Sequence, residues 1–137
     1  MSNIEIIQHN PSLRLLGFAH CGLFGISDDY EEEYLSLDQY MLKNRESTFF
    51  FRAKGDSMAP LISNGDILVV DCSLTVKSNQ IAIVHLNGER LCKRIIVQEG
   101  RTYLVSENRK HKVITLEEGS ELNVFGVVIG IARRFNP

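Results

Sequence analysis

The sequence has no apolar run long enough to cross a bilayer. Its longest, Val124 to Ala132, is broken by two glycines, and a spanning helix needs about 20 apolar residues. Charge of one sign is not in excess either. Fifteen basic and 17 acidic side chains leave a formal net charge of −2, which is no whole-chain basic footprint for nucleic acid. Cysteine is scarce and scattered: Cys21, Cys72 and Cys92 form an odd set. A disulfide framework is therefore not expected, and a reducing, cytoplasmic setting is. Met1 to Asn10 has neither a basic n-region nor an apolar h-region, so no signal peptide is expected. Repeats and low-complexity tracts are missing as well. What is present is 137 residues, 44% of them hydrophobic and 23% charged. That suffices for one globular domain with its own core, and excludes a large multidomain enzyme, a collagen-like chain and a wholly disordered one.

The charge is unevenly spread. Residues 1–46 hold eight acids and three bases, whereas residues 47–137 hold nine acids and twelve bases. The first part has short apolar scraps, the glycines Gly17, Gly22 and Gly25, and the cluster Asp28, Asp29, Glu31, Glu32, Glu33, read as a solvated segment. The second part has dense strand-like runs. The expected organisation is an extended N-terminal arm over 1–46 and a compact body over 47–137. One short helix is expected in the arm. Ser36 and Gln39 fit a capping box, Leu37, Tyr40 and Met41 follow at helical spacing, and Asn44 can end the turn.

The body reads as strands: Thr48 to Lys54, Ile67 to Asp71, Ile81 to Leu86, Arg90 to Val97, Arg101 to Ser106, Val113 to Leu116 and Leu122 to Phe135. Asn87-Gly88 is a strong hairpin signal, and Glu99-Gly100 precedes a further strand. Strands this short and this closely spaced imply a mainly β fold with an antiparallel sheet, not βαβ units.

A two-residue Asn87-Gly88 turn pairs Leu86 with Glu89, Val84 with Leu91, and Ala82 with Lys93. Cross-strand partners share a face. One face then carries Ala82, Val84, Leu86, Leu91, Lys93, Ile95 and Val97; the other carries Ile81, Ile83, His85, Arg90, Cys92 and Arg94. Lys93 lies among aliphatic residues while Arg94 points the other way. Burial disfavours an ammonium ion, and a neutral lysine can act as a general base or activate a hydroxyl. On the pattern alone the plainer reading is a lysine whose stem lies on the core while its head reaches water. What decides is whether a nucleophile comes within reach.

Ser57 is the candidate. Lys54-Gly55-Asp56-Ser57-Met58-Ala59-Pro60 follows the Phe-rich strand. Gly55 permits an unusual backbone and Pro60 suits a first helical turn, so Ser57 sits where a side chain can be presented. A turn or N-cap serine is the plainer reading. Serine with a lysine base is a known variant of triad chemistry.

Gly55-Asp56-Ser57-Met58, Gly65-Asp66-Ile67-Leu68-Val69-Val70-Asp71, Cys92-Lys93-Arg94 and Asn123-Val124-Phe125-Gly126-Val127-Val128-Ile129 together resemble the LexA/UmuD family of Ser–Lys self-cleaving proteins (peptidase S24-like). Cys21-Gly22 is similar to the cleavage site of the family's UmuD branch, and Asp29-Tyr30 and the segment through Gln39 resemble that branch too. Cys21 lies 36 residues before Ser57, and Ser57 lies 36 before Lys93, close to the family pattern. Two stretches depart from the UmuD branch. Met58-Ala59-Pro60-Leu61 is closer to phage-repressor and signal-peptidase relatives, and Leu23-Phe24-Gly25-Ile26 lacks the expected prolines.

The resemblance implies a compact β body of the LexA/UmuD C-terminal type, a catalytic Ser57–Lys93 pair, and backbone N–H groups of Ser57 and Met58 as oxyanion donors. It implies cleavage between Cys21 and Gly22, and neither a cofactor nor a metal. It further implies an SOS-response accessory subunit of an error-prone, translesion DNA polymerase. Its partners would be a second copy of the chain, a UmuC-like polymerase subunit, a RecA–single-stranded-DNA filament and the polymerase sliding clamp, with no membrane. Twenty residues before Cys21 are too few for a helix-turn-helix head, so no sequence-specific DNA binding is expected by that route. The alternative from another class is a non-catalytic, repressor-like dimerisation module that modulates LexA-type regulation.

Other features read more plainly. His20 beside Cys21 is no Cys–His pair, because neighbours in an extended segment point apart. His9, His20, His85 and His111 have no ligand spacing with the cysteines. Phe49, Phe50 and Phe51 read as core plus one interface aromatic, and Arg109-Lys110-His111-Lys112 as a solvated basic loop. Leu122 to Phe135 is apolar on both faces, so one face is a candidate for packing on a second subunit.

Overall fold

The computed structural model describes residues 12–22 and 33–135. Met1 to Asn10, the segment Leu23 to Ile26 and the acids Asp28 to Glu32 lie outside the described residues. The chain forms two units, Met1–Lys43 and Asn44–Pro137.

In the first unit β1 (Ser12–Leu15) pairs antiparallel with β2 (Glu33–Ser36). Neither strand was expected. Leu13 and Tyr34 are exposed, so backbone hydrogen bonds rather than a buried face join the pair, and no apolar alternation announces it. The expected helix is α1 (Leu37–Met41). Ser36 caps it, its hydroxyl accepting the Gln39 N–H at 3.4 Å, and Asp38 in the first turn complements the helix dipole. The helix stops before Asn44: Leu42 is the C-cap, its N–H bonded to the Asp38 carbonyl.

Asn44 works elsewhere. Its amide donates to Asp71 at 2.9 Å, and Ser47 and Ser73 donate to the same carboxylate. A 3-10 turn, Arg45–Ser47, then leads into β3 (Thr48–Arg52). The remaining strands are β4 (Ile67–Asp71), β5 (Ile81–Leu86), β6 (Glu89–Gln98), β7 (Arg101–Val105), β8 (Ile114–Thr115) and β9 (Leu122–Ala132). All pair antiparallel, in the order β3-β4-β9-β5-β6-β7-β8. This is the mainly β, antiparallel body that the strand spacing predicts.

Both hairpins have two-residue turns. Leu86 pairs with Glu89 and Gln98 with Arg101. Asn87, Gly88, Glu99 and Gly100 all have positive φ, as turns that match strand twist require. β9 runs between β4 and β5, with a register shift against each. It thereby joins the β3–β4 pair to the β5–β6–β7–β8 ribbon. Gly126 lies where β9 passes β4: a Cβ there would sit 2.8 Å from the Asp71 carbonyl oxygen and 2.9 Å from a Val70 methyl.

Alternate residues of the central strands feed two cores. Met58, Ile62, Leu68, Val70 and Ile83 form one, with Cys92 and Phe125 against it. Ala82, Val84, Ile95 and Leu104 form the other, with Leu91 against it. Phe49 and Phe51 meet Phe125 edge-on, at ring distances of 5.7 and 5.2 Å. Phe49 and Phe50 are both exposed, and of the three only Phe51 packs against the core, so two aromatics rather than the expected one are left at the surface. Val124 and Ile129 of β9 also keep exposed surface.

Candidate active site

Ser57 follows β3 in a series of tight turns that runs to Ile62. Gly55 supplies a positive φ of 94°, and its N–H donates to the Asn64 side chain at 2.8 Å. Met58 buries its side chain in the first core. That anchors the turn one residue beyond Ser57, so the serine is held at the rim. Pro60 does not open a helix. It lies within the turns after a cis Ala59-Pro60 bond. Farther along, Asp66 accepts from the Ser63 N–H and from two guanidinium nitrogens of Arg133, both at 2.6 Å. This ties the end of the turn region to the segment after β9.

Lys93 sits in the middle of β6, opposite Ala82. It is 8% exposed, and Leu91 and Ile95 flank it on the same face of the strand. Burial is the main cause that holds its amine below the ordinary lysine value, with the neighbouring Cys92 acting the other way. The amine donates to Ser106 Oγ at 2.8 Å. Arg94 faces the other side, where it reaches the Glu107 carboxylate and, at 2.6 Å, the Asn79 carbonyl. The two adjacent cations are separated as the hairpin register predicts.

Ser57 and Lys93 line one cleft of about 120 Å³, together with Gly55, Met58, Leu91 and Cys92. The serine and the lysine therefore come together from 36 residues apart. Burial pushes the Cys92 thiol up to about 11. It is protonated at neutral pH and a poor nucleophile there. Among the described residues, neither the Ser57 nor the Met58 N–H is taken by another acceptor. Cys21 and Gly22 lie in the first unit, where both are exposed. No group of His, Cys, Asp and Glu among the described residues could hold a metal ion, and no helix among them is long and apolar enough to cross a membrane.

The sequence reading missed Ser106 and Asn108. Ser106 is 7% exposed. Asn108 donates its backbone N–H to the Ser57 carbonyl at 3.0 Å and its side-chain amide to the Asp56 carbonyl at 3.1 Å. His111 adds a 2.9 Å contact to the Asp56 carboxylate. A signal for Ser106 existed. The Glu99-Gly100 hairpin pairs Arg94 with Val105, and one further step of that register sets Ser106 against Lys93.

Residues 14–129 match the family described as Peptidase S24-like. LexA repressor 2 of Geobacter sulfurreducens is 32% identical over 133 residues, which cover 94% of this chain and 64% of the repressor. Protein ImpA of Salmonella typhimurium is 34% identical over 109 residues, covering 77% of this chain and 72% of that protein. Protein MucA of Escherichia coli is 33% identical over 101 residues, covering 72% and 68%. The chain thus spans just under two thirds of the LexA repressor it matches.

Proposed function

Because the chain belongs to the peptidase S24-like family, we propose that it is a serine peptidase that cuts its own backbone between Cys21 and Gly22. One observation carries the reading: a buried lysine whose amine is biased toward the neutral form shares a small cleft with a serine on a glycine turn. Neutral Lys93 takes the proton of Ser57 Oγ. The oxygen attacks the Cys21 carbonyl carbon. The developing oxyanion is stabilised by the Ser57 and Met58 N–H groups. The C–N bond to Gly22 breaks, and Lys93 returns the proton to the leaving amine. Water then hydrolyses the Cys21 ester and regenerates Ser57. Cys21-Gly22 suits a narrow cleft, since glycine leaves room for the backbone to approach Oγ. The substrate is tethered to its enzyme, so chemistry gains from high effective concentration. Placement of the arm, rather than encounter, then limits the rate.

The likeness to LexA repressor 2, MucA and ImpA supports a place in the SOS response. On this reading a RecA–single-stranded-DNA filament stabilises the docked arm and shifts a two-state equilibrium toward cleavage. The trimmed chain pairs with a second copy and serves a UmuC-like, error-prone polymerase, with the sliding clamp as a further contact. Val124 and Ile129 leave exposed apolar surface on β9, which supports self-association through that strand. The test is a time course of intact mass at alkaline pH. Fragments that end at Cys21 and begin at Gly22, absent from Ser57→Ala and Lys93→Ala, are the expected result. An inert chain that still dimerises would sink the peptidase reading in favour of a non-catalytic dimerisation module.

A further inference from the structure

Of the three residues after β7, Ser106 and Asn108 contact the two sides of the cleft, and Glu107 between them faces away. Ser106 Oγ accepts from the Lys93 amine, Glu107 pairs with Arg94, and Asn108 holds the backbone at Asp56 and Ser57. Ser106 and Lys93 are both buried, and among the described residues no buried side-chain polar atom lacks a partner. The Ser106–Lys93 bond is thus the one that satisfies both groups away from water.

We propose that Ser106 and Asn108 are positioning residues for the reaction. Ser106 aims the Lys93 amine, and Asn108 sets the serine turn at a matching height. The inference rests on the Ser57–Lys93 reading above. Its chemistry is specific. The ammonium form of Lys93 donates a charge-assisted bond to Ser106, which is stronger than the bond from the neutral amine. Ser106 therefore favours the protonated lysine and opposes burial, while orienting the amine so that its lone pair, once free, is directed away from Ser106.

The other charged groups near Lys93 act less directly. Cys92 is its neighbour on β6, and its thiol is protonated near neutral pH. Lys54 and Arg90 also line the cleft. Arg94 is engaged by Glu107, and Asp56 by His111. None of these hydrogen-bonds the Lys93 amine.

Self-cleavage is followed by intact mass from about pH 6 to about pH 11 for the parent chain, Ser106→Ala, Ser106→Thr and Asn108→Ala. Ser106→Ala should lower the alkaline plateau by about tenfold or more. It should also move the midpoint to lower pH by about one unit. Ser106→Thr keeps the hydroxyl and should restore both. Asn108→Ala should lower the plateau and leave the midpoint in place. A slowed Ser106→Ala with an unmoved midpoint would mark a merely structural serine and overturn the assignment, as would an unaffected rate. If Ser106→Ala does not fold, Ser106→Val, which has the shape of threonine without its hydroxyl, carries the same expectation. A second readout needs no cleavage: the Lys93 Cε carbon shift is titrated in Ser57→Ala with and without the Ser106 hydroxyl. Its midpoint must fall when the hydroxyl is removed, and an unmoved midpoint overturns the proposal by itself. A parent chain that never cuts, combined with a shifted midpoint, would refute only the peptidase reading.

Discussion

Lys93 and Arg94 are adjacent, both basic, and sit in different surroundings. One is buried opposite Ala82 and the other is bridged to Glu107. Chemistry should follow the surroundings. Self-cleavage without a filament should accelerate from neutral to alkaline pH, because deprotonation of Lys93 creates the base. A flat rate between about pH 6 and about pH 10 would count against lysine in that role. If the two act as the proposed pair, Lys93→Ala and Ser57→Ala should both abolish cutting. Arg94→Ala should stay within about tenfold, a barrier change near 1.4 kcal/mol. Asp71 makes a different prediction. Hydrogen bonds from Ser73 and Asn44 hold its carboxyl down to about 2, against an ordinary 3.8. A depressed folded value means that its contribution is present above the unfolded value and lost as pH falls through the folded one. Stability should therefore drop between about pH 4 and about pH 2. Asp71→Asn should be less stable at neutral pH and show a shallower drop across that window. Thermal unfolding at a series of acidic pH values measures both.

At the level of strands and turns, what could be read from the sequence depended on where the interactions lie. The hairpins at Asn87-Gly88 and Glu99-Gly100 were legible because a two-residue turn sets the register of everything that follows. That register alone placed Lys93 among aliphatic residues. The β1–β2 pair was not legible, since its strands hold few buried residues and its partners are some twenty positions apart. Pro60 misled for a local reason: proline fits a first helical turn, yet the chain needed a tight reversal to bury Met58. Asn44 looked like a helix stop, whereas its amide answers to a carboxylate 27 residues away. Ser106 was within reach of the hairpin rule, one pair past the end of β7. Gly126 gives the element-scale test. A Cβ added there would lie under 3.0 Å from both a backbone oxygen and a buried methyl, so Gly126→Ala must push β9 away from β4. Overpacking of this kind costs about 1–3 kcal/mol, read as a lowered midpoint in denaturant or heat. An unchanged midpoint would mean that the strands part at no cost.

The whole molecule divides its charge: the first 46 residues carry an excess of acid and the rest an excess of base. Attraction between exposed charges is screened over about 8 Å at physiological salt and about 3 Å at 1 M. If the arm must come to the cleft before it is cut, filament-independent cleavage should slow several-fold between low and molar salt. A salt-independent rate would show that charge plays no part in the approach. The order of the strands has a consequence in time. Ser57 follows the β3–β4 side of the sheet and Lys93 lies on the β5–β6 side, and β9 is the strand that zips the two together. Every other strand leaves the ribosome before β9 does. If Ser57 and Lys93 form the cutting pair proposed above, a nascent chain that already displays Cys21 has not yet assembled it, and translation itself would act as the safety catch. Ribosome-bound chains stalled before Leu122 should remain uncut at alkaline pH, whereas chains stalled far enough beyond Ala132 to release β9 from the exit tunnel should begin to cleave.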